Sequence, residues 1–490
     1  MNKILIANRG EIACRIARTC RRLGIKTVAV YSDADSRAMH IGACDEAIHI
    51  GAAETKRSYL NIDAVISAAK KCRADAVHPG YGFLSENPAF VEALDKESIT
   101  FIGPSAEAMR ALGDKLKAKA LAKKLKIPVS PSVQAEFSDS RSLKHLEQQA
   151  AKIGFPLLIK AAGGGGGRGM RKIESAAQLG DALKSASREA QAFFGDATIF
   201  LEKYIKQARH IEVQVIGDQH GNVFDLLDRD CSSQRNHQKV IEEAPAPNIS
   251  AKTRSAMYTA ARKLAKQAKY AGAATVEFLL DAQQNFYFLE VNSRLQVEHP
   301  VTEEILGIDL VELQIEAAKG ANLKKIFPFR GGKTLKPKGS AIECRLCAEK
   351  PVQGFIASTG KIHALDLQAP CSPAKLRFDC GFRSGDRISH HYDSLLGKII
   401  LHAKSRDGAR LAALEVLRSS NIVGIETNSA FLEAILASAD FAQGNPHLAL
   451  VPSLLDRIGQ EAAHRKLACA LHMVAASLPQ GRAGGDPWSS

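Results

Sequence analysis

Along residues 1–110 short apolar runs alternate with stretches of helical periodicity. The runs at residues 3–7, 27–31, 74–78 and 99–103 have strand length, and residues 11–23 and 62–71 between them carry the helical spacing. Strands alternating with helices predict a parallel sheet with crossover helices, so the chain reads as α/β. Residues 114–127 form a basic helix, and the Pro- and Ser-rich residues 128–132 mark a boundary. Residues 155–203 read as strand, glycine loop, helix and strand. Residues 210–216 alternate, with Ile211, Val213 and Val215 on one face and Glu212 and Gln214 on the other, as in a half-buried antiparallel strand. Residues 275–281 and 286–292 read as a hairpin. Residues 340–402 hold several short strands, and residues 406–437 are mostly helical. The tail, residues 460–490, is rich in Pro, Gly and Ser and reads as poorly ordered.

Length and composition narrow the picture. The 490 residues suggest about two to four domains, and 45% hydrophobic with 24% charged residues fits a globular protein with a large core. No run approaches the ~20 apolar residues of a membrane span. The opening MNKILIANRGEIA enters a strand at once, so a cytoplasmic protein is expected. The ten cysteines are scattered, which suits reduced core thiols. Cys344 and Cys347 form one C-x-x-C, but no second pair follows to complete a zinc site. The net charge is +14, yet aromatics are only 6% and the basic residues are dispersed. No base-stacking platform is evident, so a basic enzyme acting on anions is favoured over nucleic-acid binding.

Four segments carry candidate chemistry. Lys160 opens AAGGGGGRGM after a strand, and its five glycines let backbone N–H groups approach a phosphate. No Gly-Lys-Ser/Thr follows, so this is not a Walker loop; a flexible linker is the plainer alternative. In the hairpin, a turn centred between Gln283 and Gln284 sets Glu277 opposite Glu290. Two opposed carboxylates about 5 Å apart at Cβ need a neutralising cation, for which Mg²⁺ with oxygen ligands is the usual choice. Asn292 shares their parity. The alternative is a solvated acidic face. If residues 292–300 are extended, Arg294, Gln296 and Glu298 line one side, where a carboxylate beside an anion-binding Arg can act as a general base or serve as a plain ion pair. Residues 229–239, RDCSSQRNHQK, read as a dense polar loop, functional or merely solvated.

Together these segments resemble the biotin carboxylase family of ATP-grasp enzymes. KILIANRGEIACRI, HPGYGFLSEN, FIGPS, AAGGGGGRGMR, RHIEVQV, RDCSSQRNHQKVIEEAPAP, FLEVNSRLQVEHPVTE and AIECRLCAE occur in family order from residue 1 to about 450. The resemblance implies an N-terminal domain over 1–114 and an ATP-grasp domain over 115–330, with a glycine-loop lid at about 131–204. A C-terminal mixed β/α domain over 331–450 and a tail over 451–490 beginning a truncated bridging region complete the plan. It implies a nucleotide site of Lys115, Lys160, Gly166, Gly167, Glu202, Lys203, Ile205, His210, Gln234 and His237. Glu277, Glu290 and Asn292 would hold Mg²⁺ or Mn²⁺, and Lys239, Arg294, Gln296 and Val297 would line a bicarbonate pocket. Glu298 resembles the family's base, and Arg294 and Arg345 would hold carboxyphosphate and the biotin enolate.

The implied reaction is ATP-dependent carboxylation of biotin by bicarbonate through carboxyphosphate. Residues 385–400 and 441–455 look most like the α-chains of acyl-CoA carboxylases, the 3-methylcrotonyl-CoA type among them. Such chains carry a Met-Lys-Met that none of the six methionines here forms, so biotin is expected on a separate or missing carrier. A carboxyltransferase partner and a homo-oligomer are expected; nucleic acid and membrane are not. The competing readings are another ATP-grasp ligase of the carbamoyl-phosphate type and a non-catalytic subunit. Ser130-Pro-Ser132, Ser340 and Lys350 depart from the family's usual pattern.

Overall fold

The computed structural model describes residues 1–135, 140–161, 170–194, 198–326, 328–329 and 335–455. β1 (Lys3–Ile6), β2 (Lys26–Ser32), β3 (Glu46–Gly51), β4 (Ala76–His78) and β5 (Thr100–Phe101) form a sheet in the order β3-β2-β1-β4-β5, with every pair parallel. The expected parallel sheet with crossover helices is present. β3 escapes the sequence pattern because its first four residues are exposed or only partly buried, and so only weakly apolar. The helix Gly10–Arg22 follows β1 and buries Ile12, Ala13 and Ile16. Asn61 and Asn87 cap the helices Ile62–Lys71 and Pro88–Lys96 by accepting first-turn N–H groups.

Asp114 caps the basic helix Lys115–Lys124 by accepting from Leu116 and Lys117, which sets Lys115 at its first turn. Beyond it, β6 (Ser132–Ala135), β7 (Leu157–Ala161), β8 (Arg171–Ile173) and β9 (Ile199–Lys203) form a separate antiparallel sheet in the order β6-β9-β7-β8. The helix Leu179–Phe194 buries Leu179, Leu183 and Ala186 in the same apolar cluster as Leu157, Ile159 and Leu201.

The largest sheet is antiparallel and has eight strands. β10 (Arg209–Gly217), β11 (Val223–Arg235), β12 (Gln238–Ala244), β13 (Gly272–Leu280), β14 (Phe286–Asn292) and β15 (Ser340–Cys347) join the strands Leu395–Ala403 and Lys375–Cys380. Because β12 pairs with β15, the sheet runs on past residue 330 without a break. One face packs on the helices Arg406–Ser419 and Ser429–Ala437 through Ile342, Cys344 and Ile399. The other meets the helix His299–Leu306 through Ala341, Val301 and Ile305. Cys344 and Cys347, three apart on one strand, project to opposite faces, and the cysteines among the described residues are free. None of the described helices is long and apolar enough to cross a membrane.

The structure corrects three sequence expectations. β10 is buried along its whole length and not half-buried: Glu212 and Gln214 are as inaccessible as Val213. Its polar face looks into a polar interior, not into solvent. Residues 229–239 are no loop but most of a β-hairpin, turned at Asn236 and His237, both with positive φ as a type I′ turn requires. Their polarity hid the strands because they too face that interior. The β13–β14 turn is the five-residue stretch 281–285, held by Asp281 accepting from the N–H groups of Gln283 and Asn285. A register shift beyond Phe288 restores the expected pairing of Glu277 with Glu290. The glycine loop, with Gly166 and Gly167, and the tail from residue 456 lie outside the described residues.

Candidate active site

The three sheets and the helix Lys115–Lys124 enclose one cleft of about 1340 Å³. Its lining includes Lys115, Lys160, Glu202, His210, Gln234, His237, Lys239, Glu277, Glu290 and Asn292, together with Arg294, Gln296, Val297, Glu298 and Arg345. Residues more than 200 positions apart in sequence therefore share one space. Among the described residues, two expected ones do not line it. Glu202 faces the cleft, so alternation turns the Lys203 side chain away, and its Nζ donates to the carbonyls of Gly154 and Phe155. Ile205 lies just beyond that strand, outside the lining.

At one end, Lys160 Nζ lies 2.5 Å from Glu202 Oε2 and Lys119 Nζ 3.3 Å from Oε1, while the Ser130 hydroxyl donates to the same carboxylate. Burial would raise the Glu202 pKa, but the two lysines outweigh it and hold it at about 2. Lys119 and Ser130 were not anticipated. Nothing in a basic helix marks which lysine turns inward.

At the centre sits Lys239. Its ammonium donates to Glu212 at 2.6 Å, Glu277 at 2.8 Å and Glu298 at 2.6 Å, so each of its three protons has an acceptor. Burial disfavours its charge, but the three carboxylates more than offset that and raise its pKa. Arg229, fully buried, donates to Glu212, Gln214, Thr302, Thr275 and Gln296. Glu298 Oε2 accepts from Arg345 at 2.9 Å. Burial would raise Glu298, yet Lys239, Arg345 and Arg229 hold it far below the usual carboxylate range.

The opposed pair is neutralised by lysines. Glu277 accepts from Lys239, from Asn292 at 2.8 Å and from Gln296 at 3.1 Å, and Glu290 lies 3.0 Å from Lys115. His210 Nε2 is 2.9 Å from Glu277, and the Gln234 amide nitrogen is 2.7 Å from its Nδ1. Burial opposes the imidazolium, but Glu277 outweighs it and raises the His210 pKa.

Residues 293–298 do not continue β14; a turn at Val297 and Glu298 starts the next helix. The assumed shared parity therefore fails. Arg294, Gln296 and Glu298 still line the cleft: Arg294 pairs with Glu86 at 2.9 Å and donates to Asn292 at 3.2 Å, while Gln296 and Glu298 lie deeper. The fully buried Lys398 donates to the Val297 carbonyl at 2.9 Å and fixes that turn.

Comparison with known proteins places the fold in a family. Residues 1–109 match the model "Biotin carboxylase, N-terminal domain", residues 114–326 match "Carbamoyl-phosphate synthase L chain, ATP binding domain", and residues 343–452 match "Biotin carboxylase C-terminal domain". The α subunit of mitochondrial methylcrotonoyl-CoA carboxylase from Mus musculus is 44% identical over 452 residues, 92% of this chain and 62% of that protein. The chain thus spans about three-fifths of that relative's length. A biotin carboxylase from Campylobacter jejuni, solved as an ATP-type complex, superposes with TM-score 0.85 at 42% identity, covering 92% of this chain and 98% of the other. The biotin carboxylase domain of Hydrogenobacter thermophilus 2-oxoglutarate carboxylase, a dimer solved with MgADP, ADP and bicarbonate, gives 0.84 at 37%, covering 94% and 98%. Fold and site together define an ATP-grasp protein. The chain belongs to the biotin carboxylase family.

Proposed function

We propose that this chain catalyses the ATP-dependent carboxylation of biotin by bicarbonate, as the first half-reaction of an acyl-CoA carboxylase. The observation that carries the reading is Glu298 set between Lys239 and Arg345 in the cleft that also holds the Glu277–Glu290 pair. Lys115, Lys160, Glu202, His210, Gln234 and His237 take the nucleotide. Glu277, Glu290 and Asn292 form an all-oxygen donor set of the kind Mg²⁺ or Mn²⁺ prefers, and such an ion, when bound, screens the phosphoryl oxygens. Bicarbonate lies against Lys239, Arg294, Gln296 and the Val297 turn. Glu298 removes its proton and the resulting oxyanion attacks the γ-phosphorus of ATP, giving carboxyphosphate and ADP. Carboxyphosphate releases CO₂ beside biotin, whose N1 proton passes to the departing phosphate. Arg294 and Arg345 stabilise the charge that builds on carboxyphosphate and on biotin.

A carboxylate held as low as Glu298 is a weak base on its own. The cations that depress it also depress a bicarbonate resting on them, so the gap for proton transfer narrows. The division into 1–114, 115–330 and 331–450, with a lid at about 131–204, belongs to this reading. A biotin carrier, a carboxyltransferase and a second copy of the chain are the partners. The acyl acceptor belongs to the carboxyltransferase, because relatives of comparable identity carry methylcrotonoyl-CoA and 2-oxoglutarate in their names. The test is ADP release by purified protein with bicarbonate and free biotin. No stimulation by biotin at saturating MgATP overturns the reading, and ammonia-dependent turnover replaces it with a carbamoyl-phosphate type.

A further inference from the structure

Behind Arg345 the large sheet carries charged groups that this reaction leaves unused. β12 and β15 pair with Glu242 opposite Glu343, and β15 pairs with the strand Leu395–Ala403 so that Arg345 faces Lys398. Alternation puts all four side chains on one face, and directly opposed residues stand about 5 Å apart at Cβ. Both glutamates are fully buried. Glu242 Oε1 accepts from Arg345 Nε at 2.6 Å, but among the described residues its Oε2 has no partner, and neither oxygen of Glu343 has one.

Geometry decides their state. The two carboxyls stand opposed in a closed interior, and among the described residues only one of their four oxygens, Glu242 Oε1, has a hydrogen-bond partner. A second, unpartnered carboxylate in such surroundings takes a proton sooner than remain charged. Glu343 is that second carboxyl.

The groups facing it are Glu242 from β12, Arg345 from its own strand, Lys398 from the next strand, Glu298 from the helix start, and Tyr81. His299 is kept neutral by burial and Lys398. Glu11 pairs with Lys398 from its other side. The opposite face of β15 carries only apolar packing on its two helices.

We propose that Glu242 and Glu343 share one proton and act as positioning residues for Arg345, a role that rests on the carboxylase reading above. With the proton present, Arg345 meets one net negative charge behind it and keeps an N–H on Glu298. With the proton lost, two carboxylates draw the guanidinium back from Glu298 and from the anions it must hold. Burial pushes Glu343 well above the usual range and holds Glu242 at about 7, with Arg345 offsetting only part of the effect. The two titrate as a pair.

Two measurements on the full chain test this. The infrared difference between wild type and Glu343→Gln, without substrates at neutral pH, should contain a protonated-carboxyl C=O band. In the pH profile of kcat, the alkaline decline should move up by about one pH unit or more in Glu343→Gln, because its amide cannot lose the proton. A missing band, or superimposable profiles, overturns the proposal. So does a variant that fails to fold, since a neutral isostere is harmless where a neutral group already stands. If wild type shows no biotin-dependent turnover, the carboxylase reading falls, while the infrared band still decides whether the proton is shared.

Discussion

Glu298→Gln separates the proposed base from the scaffold around it. The substitution keeps shape and removes charge. Lys239 retains Glu212 at 2.6 Å and Glu277 at 2.8 Å, and Arg345 retains Glu242 at 2.6 Å, so neither cation is orphaned. The amide oxygen accepts from one of the two and its NH₂ faces the other. The loss is one charge-assisted hydrogen bond, about 1.5–3 kcal/mol of stability. Catalysis suffers more. A positioned general base contributes about 10²–10⁴ in rate, or about 3–5 kcal/mol on the barrier. The nucleotide end, where Lys160 and Lys119 meet Glu202, has no contact with Glu298, so KM for ATP should stay within about threefold. Bicarbonate- and biotin-dependent ADP release gives kcat, and calorimetry gives nucleotide affinity. A variant keeping more than about a tenth of wild-type turnover, or losing nucleotide affinity in proportion to rate, refutes the assignment.

Lys239→Met leaves three carboxylates facing one another and should cost about 3–5 kcal/mol in urea unfolding; a cost under about 1 kcal/mol, as expected of a surface pair, counts against its central place. Glu290→Gln should raise the magnesium needed for half-maximal rate by about tenfold or more, and an unchanged magnesium curve removes Glu290 from the metal site. The Glu242 carboxyl sits at about 7 in the folded chain against an ordinary 4.5, so between those values the folded state binds more protons than the unfolded one. Its contribution is therefore complete below about 4.5 and is lost as pH rises through about 7. Urea midpoints across that window should fall less steeply in Glu242→Gln, and equal slopes would contradict the assignment.

The parallel sheet was legible because its central strands are mostly apolar and buried. The Glu277–Glu290 pairing was legible in outcome but not in route, since the register is restored by an irregularity beyond Phe288 that no residue pattern announces. The polar interior was the part that misled. Rules that equate polar with exposed fail at Glu212, Arg229 and Gln234, which are buried with partners of their own: Arg229 donates to Glu212, and Gln234 donates to the Cys231 carbonyl. A polar position repeated inside an otherwise apolar strand, as at Glu212 and Gln214, was the available signal. Glu343 and Lys398 gave still less, because what sets them apart is their partners, or the lack of them, across a sheet assembled from distant segments.

The crowding at Lys239 explains how so depressed a carboxylate can serve as a base. An ammonium has three protons, and here each already has an acceptor. On the proposed reading, an arriving bicarbonate that touches Lys239 must displace one of them. Glu212 is pinned from behind by Arg229, and Glu277 is tied to β13 and held by His210, Asn292 and Gln296. Glu298 stands at a turn and has a second cation in Arg345, so it yields most easily. Losing Lys239 removes its largest stabilising charge, and its pKa climbs at the moment its substrate is in reach. On that reading Glu298 is quiet while the cleft holds only protein and becomes competent through the anion it is to deprotonate.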